Sequence, residues 1–298
     1  MDKIRTEHNG MEATAVLNQG LPCLDWYLMP ESFSAPLVES AIQEYGLTSH
    51  QTILDPFSGA GTTVLTASLH GLNGVGIEVN PFLCFATRIK TCFEYDLDGL
   101  RRDIEQVLAA AEPRLGALSL NPPLFSFDTF LRESPAVYST LSPPDMPRLY
   151  KWISPRVVDK VLALKECIQQ VEHLAHRDFC RLALGAILRP VSNMKLTAHA
   201  FGSCRIKEDA PVYELFAAKV RKMFADLQQI SHWSNGLGQA RVIESDVRSI
   251  PLDIRVPGLP ADLAITSPPY LNNLDYTMQT RLELFFLDFV KSMKDLQN

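Results

Sequence analysis

The sequence predicts an α/β protein built on a doubly wound parallel sheet, with a large helical insertion between its second and third strands. Three observations carry that reading. A short apolar run, Thr52-Ile53-Leu54-Asp55, ends in the turn Pro56-Phe57-Ser58-Gly59-Ala60-Gly61, and a helical segment opens at Thr62-Thr63. A second run, Gly74-Val75-Gly76-Ile77-Glu78, ends on a carboxylate and is followed by Asn80-Pro81, a helix-start signal. Strand signals then disappear, and return only at Ala240-Arg241-Val242-Ile243-Glu244 and Asp262-Leu263-Ala264-Ile265.

Taken in order, Phe33 to Tyr45 reads as a helix, with Ser34 as its N-cap, Pro36 in the first turn and Gly46 as its stop. Thr52 to Asp55 is the first strand, and Thr62 to His70 is a helix closed by Gly71. From about Asp98 to Trp233 the pattern is helical, broken by a proline-rich stretch from Asn121 to Pro147. Arg156 to Leu188 reads as a long helix or helical hairpin ended by Pro190, and Val212 to Ile230 as a helix behind Pro211. A last helix is expected over Thr280 to Met293. Residues 1–97 with 239–298 are therefore assigned to the sheet domain, and 98–238 to the insertion.

A chain of 298 residues can bury a sizeable core, and its 46% hydrophobic and 21% charged content is ordinary for a globular protein. No run approaches the roughly 20 apolar residues needed to span a bilayer, and the first 20 residues lack a signal-peptide core. Six cysteines at Cys23, Cys84, Cys92, Cys167, Cys180 and Cys204 form neither a C-x-x-C pair nor a zinc-like cluster. Reduced thiols, a cytoplasmic location and no metal site are therefore expected. The net charge of −6 is unevenly spread. Residues 81–240 hold 20 Lys/Arg against 17 Asp/Glu, so the middle of the chain is the better place for polyanion contacts. Arg148, Lys151, Arg156 and Lys160, or Arg189, Lys195, Arg205 and Lys207, are the candidate clusters. His173, His176 and His199 show no partner that suggests metal or acid–base work, and Trp152 and Trp233 read as core or interface residues.

Two motifs concentrate the chemistry. The first, Asp55-Pro56-Phe57-Ser58-Gly59-Ala60-Gly61-Thr62-Thr63, is a strand-to-helix turn fit for a nucleotide-like cofactor. It lacks the Lys-Ser/Thr of a P-loop and the third glycine of a dinucleotide fingerprint. The second, Ser267-Pro268-Pro269-Tyr270, is a stiff turn after a strand, rich in acceptors and ending on an aromatic ring.

Together with Glu78, and with Trp26–Tyr45 before the first strand, these motifs resemble the prokaryotic site-specific DNA amino-methyltransferases. Leu271 to Tyr276 and Arg281 to Leu284 are also similar to the segment after the tetrapeptide in that family. The resemblance implies a Rossmann-like sheet, S-adenosylmethionine as cofactor, and methyl transfer to an exocyclic amine of a DNA base swung out of the duplex. It implies cofactor contacts from Asp55, Pro56, Phe57, Ser58, Gly59, Gly61, Thr62, Thr63, Glu78, Asn80 and Asp246. Asp55 would meet the cationic methionine end, Glu78 the ribose hydroxyls and Asp246 the adenine amine.

An exocyclic amine is a weak nucleophile because its lone pair is delocalised into the ring. Acceptors that draw its protons allow the nitrogen to pyramidalise, and the Ser267 hydroxyl and Pro268 carbonyl are suited to this. Pro269 stiffens the loop, and the Tyr270 ring offers a stacking face. A serine opening the tetrapeptide leans toward N4 of cytosine in that family, with N6 of adenine the alternative. Methylation of RNA or a protein amide, and a subunit inactive without a partner, stay open. A C5-cytosine enzyme would need a nucleophilic cysteine after a proline, and Pro22-Cys23 lies far from either motif.

The family's sheet has seven strands, with the first and fourth adjacent in its interior. Counterparts of four are recognisable here, so the fourth is expected at an open edge. A second polypeptide completing the sheet is the corresponding partner expectation, beside duplex DNA.

Overall fold

A computed structural model describes residues 14–29, 31–120, 139–194, 206–233, 236–250, 260–267 and 276–296. It divides into two compact units, Met1–Glu94 with Ala225–Thr280 and Tyr95–Phe224 with Arg281–Asn298.

The first unit is the sheet. After two short 3-10 turns, helix α1 (Ala35–Glu44) precedes strand β1 (Thr52–Asp55), helix α2 (Thr62–Leu69), strand β2 (Asn73–Glu78) and helix α3 (Pro81–Lys90). Ser34 takes the extended N-cap conformation, but its side chain makes no capping bond. Asn18 supplies it instead, accepting from the Ala35 N–H at 2.7 Å and donating to the Phe33 carbonyl at 3.0 Å. Asn80 caps α3 directly, its Oδ1 accepting from the N–H groups of Phe82 and Leu83.

Strands β3 (Ala240–Glu244) and β4 (Leu263–Ala264) complete a four-stranded sheet of order β3-β2-β1-β4, parallel throughout. It is the predicted α/β, Rossmann-like arrangement, with α2 and α3 as crossovers between neighbouring strands. Phe33, Val38, Ile42, Ile53, Ala67 and Leu72 form one buried cluster, so α1 packs its apolar face against the start of the sheet. Among the described residues, β4 pairs with β1 on one side and has no strand on the other.

The second unit is helical: α4 (Leu97–Leu120), α5 (Leu149–Trp152), α6 (Pro155–Gln169), α7 (Leu174–Val191) and α8 (Val212–Ser231), whose last turns from Ala225 belong to the sheet unit. Leu100, Ile104, Leu108, Val161, Leu164, Phe179, Leu184 and Ile187 are all buried. The hairpin alternative holds over Arg156 to Leu188, where α6 and α7 are separate helices. Pro190 lies inside the last turn of α7 rather than ending it.

The expected terminal helix over Thr280 to Met293 is also different. Short helices α9 (Tyr276–Gln279) and α10 (Arg281–Phe286) are followed by Asp288 in a left-handed conformation at φ 62° and a 3-10 turn at Met293–Leu296. The Phe289 N–H then bonds to the Leu284 carbonyl, which closes α10 early. The segment Arg281–Asn298 groups with the helical unit, whereas the sequence reading placed it with the sheet.

Candidate active site

The parallel sheet sets the order of the site. Across β3-β2-β1-β4, the carboxyl ends carry Asp246, Glu78, Asp55 and Ser267 in that sequence. Residues from four places in the chain thus share the end of a sheet at which ligands of such folds bind.

Asp55 is 1% exposed and organises the first turn. Its Oδ1 accepts from the Phe57 N–H at 3.1 Å, and its Oδ2 from the Thr63 hydroxyl at 2.8 Å. The Thr266 side chain is a third donor. Burial nevertheless raises its carboxyl above the ordinary value, against the pull of these three bonds. The turn continues through Gly59 at φ 52° and Gly61 at φ 80°, both conformations that favour glycine. A Cβ on Gly61 would stand 2.5 Å from Cγ2 of Thr87, so that glycine also answers to packing. Among the described residues, a Cβ on Gly59 would meet Met29 Sδ at 3.9 Å and Ser32 Oγ at 4.0 Å, ordinary van der Waals contact, so its positive φ rather than crowding asks for glycine there.

Glu78 closes the cradle from β2. Its Oε2 accepts from the Gly59 N–H and its Oε1 from the Asn80 N–H, both at 2.8 Å. Burial is the main reason its carboxyl is raised, and the neighbouring Asp55 charge acts in the same direction. With the Val79 N–H as a further donor, the carboxylate keeps one acceptor site for a ligand hydroxyl. Phe57 and Val79 expose 38% and 67% of their surface near the tips of β1 and β2. Val79 is absent from the residues the sequence singles out, although its place directly after the strand-ending acid marks it.

Asp246 is a different case. It caps a short 3-10 helix by accepting from the Arg248 N–H at 2.9 Å, and both carboxylate oxygens engage the Arg248 guanidinium. Those hydrogen bonds hold its carboxyl down at about 2, so it stays an ionised acceptor. Asn80 is spent structurally: Oδ1 on the helix cap, Nδ2 on Thr280 Oγ1 at 2.8 Å. Thr62, Thr63 and Ser58 are buried within the turn, and Pro56 is half-buried.

Lys90, missed by the sequence reading, is 1% exposed and donates to the Ala60 carbonyl at 2.8 Å, pinning the turn from α3. Ser267 is described and half-buried, two residues after the Ile265 N–H bonds to the Leu54 carbonyl at 3.0 Å. Pro268, Pro269 and Tyr270 lie outside the described residues, as does the similar segment from Leu271 to Asp275.

The cradle suits the group that the motifs suggest. It offers a glycine turn without side chains, a buried and a half-buried carboxylate, and exposed apolar side chains at the same sheet end. The proposed phosphate contacts fare unevenly. Lys160 is 4% exposed and paired to Asp209 at 2.6 Å, and Arg189 is 7% exposed, so both are internal. Arg156 lies 4.0 Å from Asp209, and Lys207 donates to the Pro190 carbonyl. Arg148 and Lys151 are exposed, while Lys195 and Arg205 lie outside the described residues.

His176 is a core residue, and the fold gives it an acid partner that the sequence does not show. It is buried, and its Nδ1 lies 2.7 Å from Asp103 Oδ2. His173 is exposed and His199 is not among the described residues. Trp152 is buried as expected, whereas Trp233 is 39% exposed. Among the described residues no His/Cys/Asp/Glu cluster fits a metal ion, no helix is long and apolar enough to cross a membrane, and five cysteines are free thiols.

Comparison with known proteins finds DNA methyltransferases. A family model described as DNA methylase matches residues 17–87, from the first 3-10 turn into α3. The chain is 28% identical over 274 residues to the type II methyltransferase M.BsoBI of Geobacillus stearothermophilus, covering 88% of this chain and 52% of that one. It is 22% identical over 312 residues to the type II methyltransferase M.MjaII of Methanocaldococcus jannaschii, covering 79% and 58% respectively. A shorter match of 64 residues to the type II methyltransferase M.AvaI of Nostoc sp. reaches 44% identity. The chain thus spans about half the length of the curated relatives that it matches over most of its own length. No solved structure matches.

Proposed function

We propose that this chain, a relative of the DNA amino-methyltransferases, moves a methyl group from S-adenosylmethionine to an exocyclic amine of a DNA base, at N4 of cytosine. S-adenosylmethionine is the cofactor of that family. The observation that carries the reading is the alignment of Asp246, Glu78, Asp55 and Ser267 along one sheet end, with Thr266 hydrogen-bonded to Asp55. That bond brings the cofactor turn and the start of the acceptor loop together.

When bound, the cofactor supplies an electrophilic methyl group on a sulfonium. The chain's own residues do the positioning. Gly59 has no side chain to obstruct close backbone approach, and Glu78 offers its remaining acceptor site to a ribose hydroxyl. Asp246 stays ionised for the adenine amine. Ser267 accepts from the target amine, so that the nitrogen lone pair can leave conjugation as the N–C bond forms and the methyl–sulfur bond breaks, with the neutral thioether as leaving group. The amine proton is released to such an acceptor, and thence to solvent. No covalent enzyme intermediate is required.

The experiment is transfer of labelled methyl groups to unmethylated genomic DNA, with Ser267→Ala and Asp55→Ala variants beside the wild type. Label lost in both variants, and recovered as N4-methylcytosine, is expected. N6-methyladenine in the digest would replace the base assignment and keep the rest. Label in RNA or protein but not in DNA would overturn the substrate. A second reading, that a further polypeptide pairs with β4, whose outer side has no strand among the described residues, predicts cofactor binding without turnover until that partner is added.

A further inference from the structure

We propose that Glu31 is the residue that receives the α-ammonium of the cofactor's methionine end. This assignment rests on the reading of the Gly59 cradle as a site for S-adenosylmethionine. It moves to Glu31 a role that the sequence alone gives to Asp55.

Asp55 is poorly placed for it. Its carboxylate is 1% exposed and already accepts from the Phe57 N–H, the Thr63 hydroxyl and Thr266. Its chemistry is spent on holding the turn and the fourth strand together. A cation arriving from the cleft needs an acid with an oxygen to spare.

Glu31 has one. Its Oε1 accepts from the side-chain amide of Gln279, while its Oε2 is out of contact with solvent and has no hydrogen-bond partner among the described residues. A carboxylate oxygen removed from water without a donor is costly, and such atoms mark the place of a missing partner. A bound ammonium supplies both the donor and the compensating charge.

The location fits in two ways. Met29 and Ser32, on either side of Glu31, are the residues whose Sδ and Oγ lie 3.9 and 4.0 Å from where a Gly59 Cβ would stand. The Ser32 N–H bonds to the Met29 carbonyl at 3.0 Å, folding that segment into a turn. From the other side, Gln279 adjoins Thr280, whose hydroxyl accepts from Asn80, and Asn80 donates its backbone N–H to Glu78. Glu78 in turn holds the Gly59 N–H. Two routes of contact therefore lead from Glu31 to the same glycine.

The test is calorimetric titration of the full chain and its Glu31→Gln variant with three ligands. S-adenosylmethionine and S-adenosylhomocysteine both carry the ammonium, and 5′-methylthioadenosine lacks the amino-acid end. The variant should bind the first two about ten- to hundred-fold more weakly and the third within about two-fold of wild type. Equal affinity for all three, or equal loss for all three, would overturn the assignment, the latter because it marks a packing role. Loss confined to S-adenosylmethionine would also overturn it, since the sulfonium would then be the group sensed. If the wild type binds none of the three, the cofactor reading itself fails and the assignment falls with it. A Glu31→Asp variant, which keeps the charge, should recover part of the loss for the two amino-acid ligands only.

Discussion

The Thr266 side chain hydrogen-bonds to the buried carboxylate of Asp55, so the residue before Ser267 is tied to the tip of the first strand. Backbone pairing between Ile265 and Leu54 brings the two strand ends level, and the Thr266 hydroxyl sets the point from which Ser267 departs. Thr266→Val keeps the shape and removes that donor. In the proposed reaction it should lower kcat by about ten-fold or more while changing the cofactor Kd far less, and Thr266→Ser should restore most of the rate. A loss that appears only in the cofactor Kd would place Thr266 in the cradle rather than between cradle and loop.

Burial raises both Asp55 and Glu78, so in each the folded state holds its proton more tightly than the unfolded state. A raised carboxyl contributes stability that is full below its unfolded value and is lost as pH rises through the folded one. These two acids therefore work against folding at neutral pH, as charges kept for a ligand do. The difference in unfolding free energy between wild type and Glu78→Gln should shift in favour of wild type as pH falls through the window above 4.5, by at most about 1.4 kcal/mol per pH unit. Cofactor affinity should fall over the same window, because protonation removes acceptor capacity that the ribose needs. Denaturant titrations at several pH values measure the first effect, and a flat difference would mean that the backbone bonds to Gly59 and Asn80 fully offset burial.

Gly61 answers to two demands at once, a φ of 80° and a neighbour at 2.5 Å. Gly61→Ala should cost about 2–4 kcal/mol, part from the left-handed backbone and part from overlap with Thr87. Thr87→Ala removes both Cγ2 and Oγ1, the two atoms in closest conflict, so it should recover the overlap part and leave the backbone part. A double-mutant cycle in urea separates the two contributions. Zero coupling would show that the backbone conformation alone requires glycine.

Much of the sheet unit could be read from short-range chemistry. Thr52–Asp55 and Ala240–Glu244 stand where apolar runs placed them, and β2 starts one residue earlier, at Asn73. Strand tips that end on Asp55 and Glu78 announce the site because the carboxyl ends of parallel strands converge. The features that escape such a reading depend on partners distant in sequence. His176 looks idle until the fold brings Asp103 to it from 73 positions away. Lys90 resembles a helix-end cation, yet it is buried against the Ala60 carbonyl. Arg189 and Lys160 carry the charge that a phosphate contact needs, and the helical core takes them instead. Pro190 reads as a helix stop; a proline in the last turn displaces few backbone bonds, so α7 runs through it.

A tie between still more distant residues gives the sharpest stability test. Asp226, near the end of α8, is 7% exposed, and its Oδ2 accepts from the Trp26 indole N–H at 2.8 Å and the Cys23 N–H at 3.1 Å. Cys23 sits at φ 58°, a conformation that a non-glycine residue keeps only when its surroundings hold it there. Asp226→Ala strands two buried donors and frees that turn, so it should cost about 3 kcal/mol in urea denaturation. Asp226→Asn keeps an acceptor oxygen in place and should cost about 1 kcal/mol, and Trp26→Phe combined with Asp226→Ala should cost less than the two single changes added together. The segment so anchored leads on to Met29, Glu31 and Ser32, so cofactor affinity should fall with Asp226→Ala even at temperatures where the chain stays folded. Unchanged affinity in the folded variant would show that the cradle's upper edge is held by Asn18 and α1 alone.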